Sequence, residues 1–274
     1  MNMKTVYLNK FMSSVVTELE MNGQYGTAHV CGSVLRSVMA FGGEGLPVSG
    51  ITPLWLKAYE GYLLHKGGKG LAWNTVSTYM RMLQAVYNRA VARKLAAFIP
   101  HQFRDVFTGR KADHRRVLER DDMQKLLVER EPDITSPGMA WARACLELMF
   151  RFHGMPFVDL AHLRKSDLKD GYLTLRRRKT GMPLSARVDG RAMQLLERYR
   201  NRDDTSPYLL CFLDGNLEGM AAYRDYQRIL RLLNSRLRAL ALWKKVQGKV
   251  TSYSARHTWA TAVSYTHLRA HETK

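Results

Sequence analysis

Apolar residues recur three and four positions apart through most of the first hundred residues. The segments LNKFMSSVVTELEMNG, TAHVCGSVLRSVMAFGG, ITPLWLKAYEGYLLHKGGKG and NTVSTYMRMLQAVYNRAVARK each carry one apolar stripe and close near glycine or a basic turn. That period marks amphipathic helices, and four in succession predict a four-helix bundle. Thr52 with Pro53 reads as the start of the third helix and Asn74 as the cap of the fourth. On the fourth, Val76, Tyr79, Met80, Leu83, Val86, Tyr87 and Ala90 form the packing side, while Arg81, Arg89, Arg93 and Lys94 fall largely outside it.

The periodicity fades over AAFIPHQFRDVFTGRKADHRR, where Pro100 interrupts and the stretch from Arg110 to Arg116 is strongly basic. This predicts a helical domain over 1–100 and a basic linker over 101–116. Helical periods resume from Glu119 to Arg130, in AWARACLELMFRFHG, in GRAMQLLERYR and in RDYQRILRLLNSRLRALALW. Between them, GYLTLRRRKTGMPLSARVD alternates like a strand and turns at Lys179-Thr180-Gly181, predicting a basic hairpin. The second domain, 117–262, is therefore expected to be helical with one small sheet.

Charge sharpens this picture. Lys and Arg number 43 against 24 Asp and Glu, a net charge of +19. Both parts of the chain, split at Arg110, are basic, so the excess is not a tail. A field of this sign attracts polyanions, nucleic acid foremost, with RNA or an anionic membrane surface left open by charge alone. Apolar residues make up 46% of the chain, enough for a sizeable core. No window is long and apolar enough to span a bilayer, and no charged-then-apolar leader opens the chain. A cytoplasmic protein without a membrane partner is expected. Cys31, Cys145 and Cys211 are odd in number, far apart and in apolar contexts, which predicts reduced core thiols rather than a disulfide framework or metal site.

Three motifs in order, HGMPFVDLAHLRKSDL, RRRKTG and TSYSARHTWAT, preceded by NTVSTYMRMLQAVYNRAV, resemble the tyrosine recombinases of the phage-integrase family, especially integrases of Bacteroides-type mobile elements. The resemblance implies an N-terminal SAM-like helical core-binding domain and an α+β catalytic domain that clamp a duplex, acting as a homo-tetramer on DNA. It also implies strand cleavage and rejoining through a 3′-phosphotyrosine, with no cofactor and no metal. Arg256 fits the second family arginine, and Lys179 fits the hairpin lysine that serves as acid. Tyr253 stands where the commoner motif has histidine, and His257 follows Arg256. A guanidinium clamps two phosphate oxygens and keeps its charge at any working pH. Arg176, Arg177 and Arg178 are expected to meet DNA beside Lys179, as are Arg81, Arg89, Arg93 and Lys94 on the fourth helix. The first family arginine is replaced by Pro156; Arg151 and His153 are the nearby candidates to supply that charge, and Asp159 matches an acidic position that holds the region.

The last twelve residues, VSYTHLRAHETK, resemble a translation of a transposase end plus adaptor used in sequencing libraries. They are read as an adaptor-derived tail over 263–274 on a truncated catalytic domain. Tyr265 is then no nucleophile, and His267 with His271 no metal pair. On this reading the chain binds DNA without cleaving it. A non-enzymatic DNA-binding regulator or decayed integrase is the alternative; an RNA-binding protein has only the charge behind it.

Overall fold

In the computed structural model the described residues are 5–111, 118–127 and 136–262. They fall into two compact units that divide between Asp113 and His114.

The first unit is built from α1 (Leu8–Met21), α2 (Tyr25–Gly42), α3 (Pro53–His65) and α4 (Trp73–Ala92). The stripe on α1 buries Leu8, Phe11, Met12, Val15 and Leu19, and that on α4 buries Val76, Met80, Leu83, Val86, Tyr87 and Ala90. Helix α1 packs on α2, and α4 packs on both α2 and α3. Each fully buried Leu or Val side chain contributes about 1.5–3 kcal/mol relative to exposure. The Thr52 hydroxyl caps α3 by accepting the Trp55 N–H at 3.1 Å.

The cap expected at Asn74 is not there. Helix α4 starts after Ala72 with no side-chain cap. The Asn74 amide instead holds both backbone groups of Lys111, accepting its N–H at 2.9 Å and donating to its carbonyl at 3.0 Å. Residues 101–111, expected as linker, accordingly lie on the first unit. Phe103 and Val106 are buried, the buried Glu60 carboxylate accepts the Phe107 N–H at 2.7 Å, and Ser77 donates to the Gly109 carbonyl at 2.6 Å. The Lys111 ammonium lies 3.9 Å from the centroid of the Trp73 ring, a cation–π contact.

The second unit contains α5 (Arg120–Leu127), α6 (Pro137–Arg151), α7 (Phe157–Ala161), α8 (Gly190–Arg198) and α9 (Gly219–Trp243), with β1 (Leu168–Lys169), β2 (Tyr172–Arg176) and β3 (Pro183–Arg187). The described chain closes with a helical run over 254–262. Helix α6 is the centre: it packs on α9, α5, α7 and α8. Its apolar residues, with Leu160, Leu173, Leu196, Leu233, Leu237 and Ala255, form one continuous core. The sheet is antiparallel in the order β1-β2-β3, with Leu173 opposite Ala186 on its buried face.

One buried carboxylate organises the α6–α8 joint. Glu147 pairs with Arg151 at 3.0 Å, Arg191 at 3.2 Å and Arg143 at 3.9 Å. A buried charge is tolerated only when paired in this way. The thiols of Cys31 and Cys145 are buried and raised in pKa chiefly by desolvation, the former to about 11. Cys211 departs from expectation: although its sequence context is apolar, it is exposed.

Among the described residues no helix is long and apolar enough to cross a membrane, and no cluster of three His, Cys, Asp or Glu side chains is placed to hold a metal ion.

Candidate nucleic-acid interface and phosphate site

The helix bearing Arg256 begins with a reciprocal hydroxyl arrangement. The Thr251 side chain accepts the Tyr253 N–H at 3.3 Å, the Ser254 hydroxyl accepts the Thr251 N–H at 3.1 Å, and Asn234 of α9 accepts the Ser252 N–H at 2.8 Å. These bonds satisfy donors that a helix start leaves orphaned. They also anchor the turn, since Thr251, Ser252 and Ser254 are buried while Tyr253 is 55% exposed. Arg256 is half-buried and His257 exposed, with its ring 6.2 Å from that of Tyr253. The site therefore stands on a fixed base.

The HGMP turn after α6 meets this helix directly. His153 and Gly154 both have left-handed backbones, φ 57° and 66°. A Cβ on Gly154 would lie 3.0 Å from the Arg256 Cα and 3.4 Å from the Trp259 Cβ. Only glycine allows that approach. The His153 ring lies 5.6 Å from that of Trp259, one turn along from Arg256. Pro156 occupies the N-cap of α7 and presents no charge.

Asp159, in the first turn of α7, reaches the basic hairpin. Its buried carboxylate accepts the Arg178 N–H at 2.9 Å and pairs with the Arg177 guanidinium at 3.6 Å. This fixes the turn on which Lys179 stands exposed. Beneath it lies an aromatic layer, in which His162 sits 5.4 Å from the Tyr226 ring and 5.8 Å from that of Tyr208. Burial, reinforced by the positive charge of Arg178, pulls the His162 pKa down to about 4. Burial pushes the Tyr226 phenol up, with smaller contributions from Tyr253, Tyr223 and Asp159. Tyr226 is thus near enough to feel both Asp159, which holds the hairpin, and Tyr253. Neither His162 nor Tyr226 stands out in sequence, because both read as ordinary members of apolar helices.

Several expected cations are already engaged. Arg151 donates to Glu147 and, at 2.6 Å, to Asp189, the N-cap of α8. Arg93 and Arg89 pair with Glu18 of α1 at 2.7 and 3.5 Å, and the Arg93 bond is the main reason the Glu18 pKa is lowered. Arg176 donates to the Gly181 carbonyl within the hairpin at 3.2 Å. Arg81, Lys94, Arg178 and Lys179 are exposed. Tyr265, His267 and His271 lie outside the described residues.

Residues 7–104 match the phage integrase SAM-like domain. Among solved structures, the chain is similar to the Tn1549 transposon integrase in complex with transposon right end DNA, at 15% identity and TM-score 0.65 over 95% of this chain and 87% of that one. It is similar to a lambda integrase dimer bound to a COC′ core site, at 16% identity and TM-score 0.64 over 93% and 89%. It is also similar to a lambda integrase tetramer bound to a Holliday junction, at 15% identity and TM-score 0.61 over 94% and 73%. Curated proteins give no sequence match. The chain has an integrase fold, with residues 7–104 matched to the phage integrase SAM-like domain.

Proposed function

We propose that the chain binds double-stranded DNA and serves site-specific recombination of the tyrosine-integrase type. Arg256, Tyr253 and His257 meet the phosphate, and Lys179 stands beside the leaving 5′ oxygen. The observation that carries this reading is the seating of the Gly154 turn on the Arg256 backbone, 3.0 Å from where a Cβ would fall. That contact gives the HGMP motif and the SARH motif a shared surface on one rigid core.

The chemistry follows from the residue types. A guanidinium stabilises the charge gathering on two non-bridging oxygens, and a phenol and an imidazole add donors where charge develops. An ammonium at the hairpin turn would protonate the departing oxygen. Tyr253 in place of histidine fits the Bacteroides-type mobile-element class. The phosphotyrosine nucleophile is assigned to no residue of this chain, so the chain's own contribution is DNA binding and phosphate contact. A homo-tetramer on DNA, in keeping with the lambda integrase tetramer bound to a Holliday junction, and a cytoplasmic setting complete the proposal.

The test is fluorescence anisotropy with a labelled duplex and a structured RNA at one salt concentration, followed by a nicked duplex that traps covalent adducts. Tighter binding to the duplex, weakened in Arg256→Ala, supports the reading. Equal or better binding to RNA sinks it. No adduct is expected from a chain to which no nucleophile is assigned, and an adduct would overturn that assignment; duplex binding that Arg256→Ala leaves unchanged favours a DNA-binding regulator, the alternative that Pro156 at the first arginine position suggests.

A further inference from the structure

On the phosphate-site reading, Pro156 leaves that site one cation short, and Arg151 and His153 are the neighbouring candidates to supply it. Arg151 does not fill the gap: its guanidinium is divided between Glu147 at 3.0 Å and Asp189 at 2.6 Å, at the joint of α6 and α8. The geometry points to His153 as the group that contacts the DNA phosphate beside Arg256, supplying in a protonatable form the charge that Pro156 does not. This inference rests on the phosphate-site reading above and adds to it a charge that depends on pH.

Four observations carry it. The backbone on either side is anchored, with Phe152 and Met155 fully buried and the Met155 N–H donating to the Met149 carbonyl at 2.9 Å, while His153 itself is exposed. The ring leans on Trp259 of the Arg256 helix, 5.6 Å between centroids, so that it stands over the same face. Among the described residues, no hydrogen bond to either His153 ring nitrogen is present, so both are open to a ligand. Finally, His153 holds a left-handed backbone, φ 57°, that glycine would adopt without strain. Such a backbone is strained for a residue with a Cβ, and the side chain is held there against it.

Charged and titratable groups reach this region from three elements. From the 254–262 helix come Arg256 and His257. From its own helix comes Arg151, neutralised by Glu147 and by Asp189 of α8. From α7 comes Asp159, already held by Arg177 and Arg178. No unpaired carboxylate faces His153 from these elements, so a DNA phosphate is the anion that a protonated imidazole there would meet.

The test measures the salt dependence of binding to a mixed-sequence duplex of about 30 base pairs by anisotropy, at pH 5.5 and pH 8.0. An imidazole changes charge across this interval, and one phosphate contact is worth a slope of about 0.9 in log K against log salt. The expected result is a wild-type slope steeper at pH 5.5 by up to about that amount. His153→Asn, which tolerates the left-handed backbone, should reduce the pH difference by up to that one contact, leaving whatever His257 contributes. His153→Lys should give the steep slope at both. A wild-type slope that is the same at the two pH values overturns the inference, as does a pH difference that is undiminished in His153→Asn. The wild-type comparison stands even if a variant fails to fold, which far-UV circular dichroism reports. If the wild-type chain does not bind duplex at all, it is the phosphate-site reading that has failed.

Discussion

Gly154→Ala should destabilise the second unit far more than the same change at a glycine of equal backbone conformation. Gly154 and Gly171 both lie in the left-handed region, at φ 66° and 75°. An alanine there costs about 1–2 kcal/mol in conformational energy, offset by about 0.4–1 kcal/mol because it also restrains the unfolded chain. At Gly171 that is the whole effect, since nothing lies within 4 Å of the added methyl. At Gly154 the methyl also meets the Arg256 Cα at 3.0 Å, the Trp259 Cβ at 3.4 Å and the Arg256 carbonyl oxygen at 3.5 Å.

Two of those three atoms are backbone in a helix whose first turn is pinned by Thr251, Ser254 and Asn234. The helix cannot yield by a rotamer change, and overpacking of this kind typically costs about 1–3 kcal/mol. Gly171→Ala is therefore expected to lose about 0.5–1 kcal/mol and Gly154→Ala about 2–4 kcal/mol. Urea titration followed by circular dichroism reads the difference: with a slope of about 2 kcal/mol per molar, the Gly154→Ala midpoint should fall by about 1–2 M. Duplex affinity should weaken with it, because the methyl pushes on Arg256 itself. Midpoints for the two variants within about 0.3 M of each other would refute the claim that the turn and the Arg256 helix are in backbone contact.

Thiol labelling of the folded chain should modify Cys211 rapidly and leave Cys31 and Cys145 unreacted until denaturant is added, because desolvation keeps the two buried thiols protonated; three equal rates would contradict the burial. His162 has a folded pKa of about 4, below the ordinary imidazole value, so the unfolded state binds the extra proton between about pH 6.5 and 4. Stability should accordingly fall with pH across that window, and His162→Phe should flatten this acid limb in urea titrations at successive pH values. Asp159→Ala should release the hairpin turn; hydrogen exchange at the Arg178 amide should quicken by about tenfold or more, while the Leu173 amide, inside the sheet, keeps its protection.

The helical frame was legible because each helix of the first unit buries one continuous stripe, and the stripes on α1 and α4 match the spacing in sequence almost residue for residue. What escaped was decided by partners remote in the chain. Asn74 has the right chemistry for a cap, yet its amide serves Lys111, 37 positions away. The segment 101–111 shows no period because it packs as an irregular strap, through Phe103, Val106 and hydrogen bonds to Glu60 and Ser77. Strand β1 was missed although Asp170-Gly171 is a typical two-residue hairpin turn, with left-handed backbones at both positions; two residues are too few for alternation to register. The motifs carrying Arg256 and Lys179 were read correctly as local structures, a helix start and a hairpin turn. Their supports, Trp259 and Asp159 aside, lie in the apolar interior, where sequence does not separate a packing residue such as Tyr226 from its neighbours.

The ion pairs change what the net charge of +19 implies for DNA binding. A cation releases counterions from a duplex only if its charge is not already met by a carboxylate. Arg89 and Arg93 share Glu18, Arg177 leans on Asp159, and Arg151 lies between Glu147 and Asp189. These pairs differ in kind. Glu147 and Asp159 are buried, so drawing an arginine away would strand a charge in the core, a loss of about 3–5 kcal/mol that one phosphate contact does not recover. Glu18 is solvent-accessible, and its partners can exchange it for phosphate at little cost. Arg151 and Arg177 thus belong to the scaffold, while Arg89 and Arg93 remain available to a duplex alongside Arg81, Lys94, Arg178 and Lys179. Asp189 is exposed as well, but its partner Arg151 is also held by buried Glu147, so among these pairs it is the arginines on Glu18 that a phosphate can draw away at little cost.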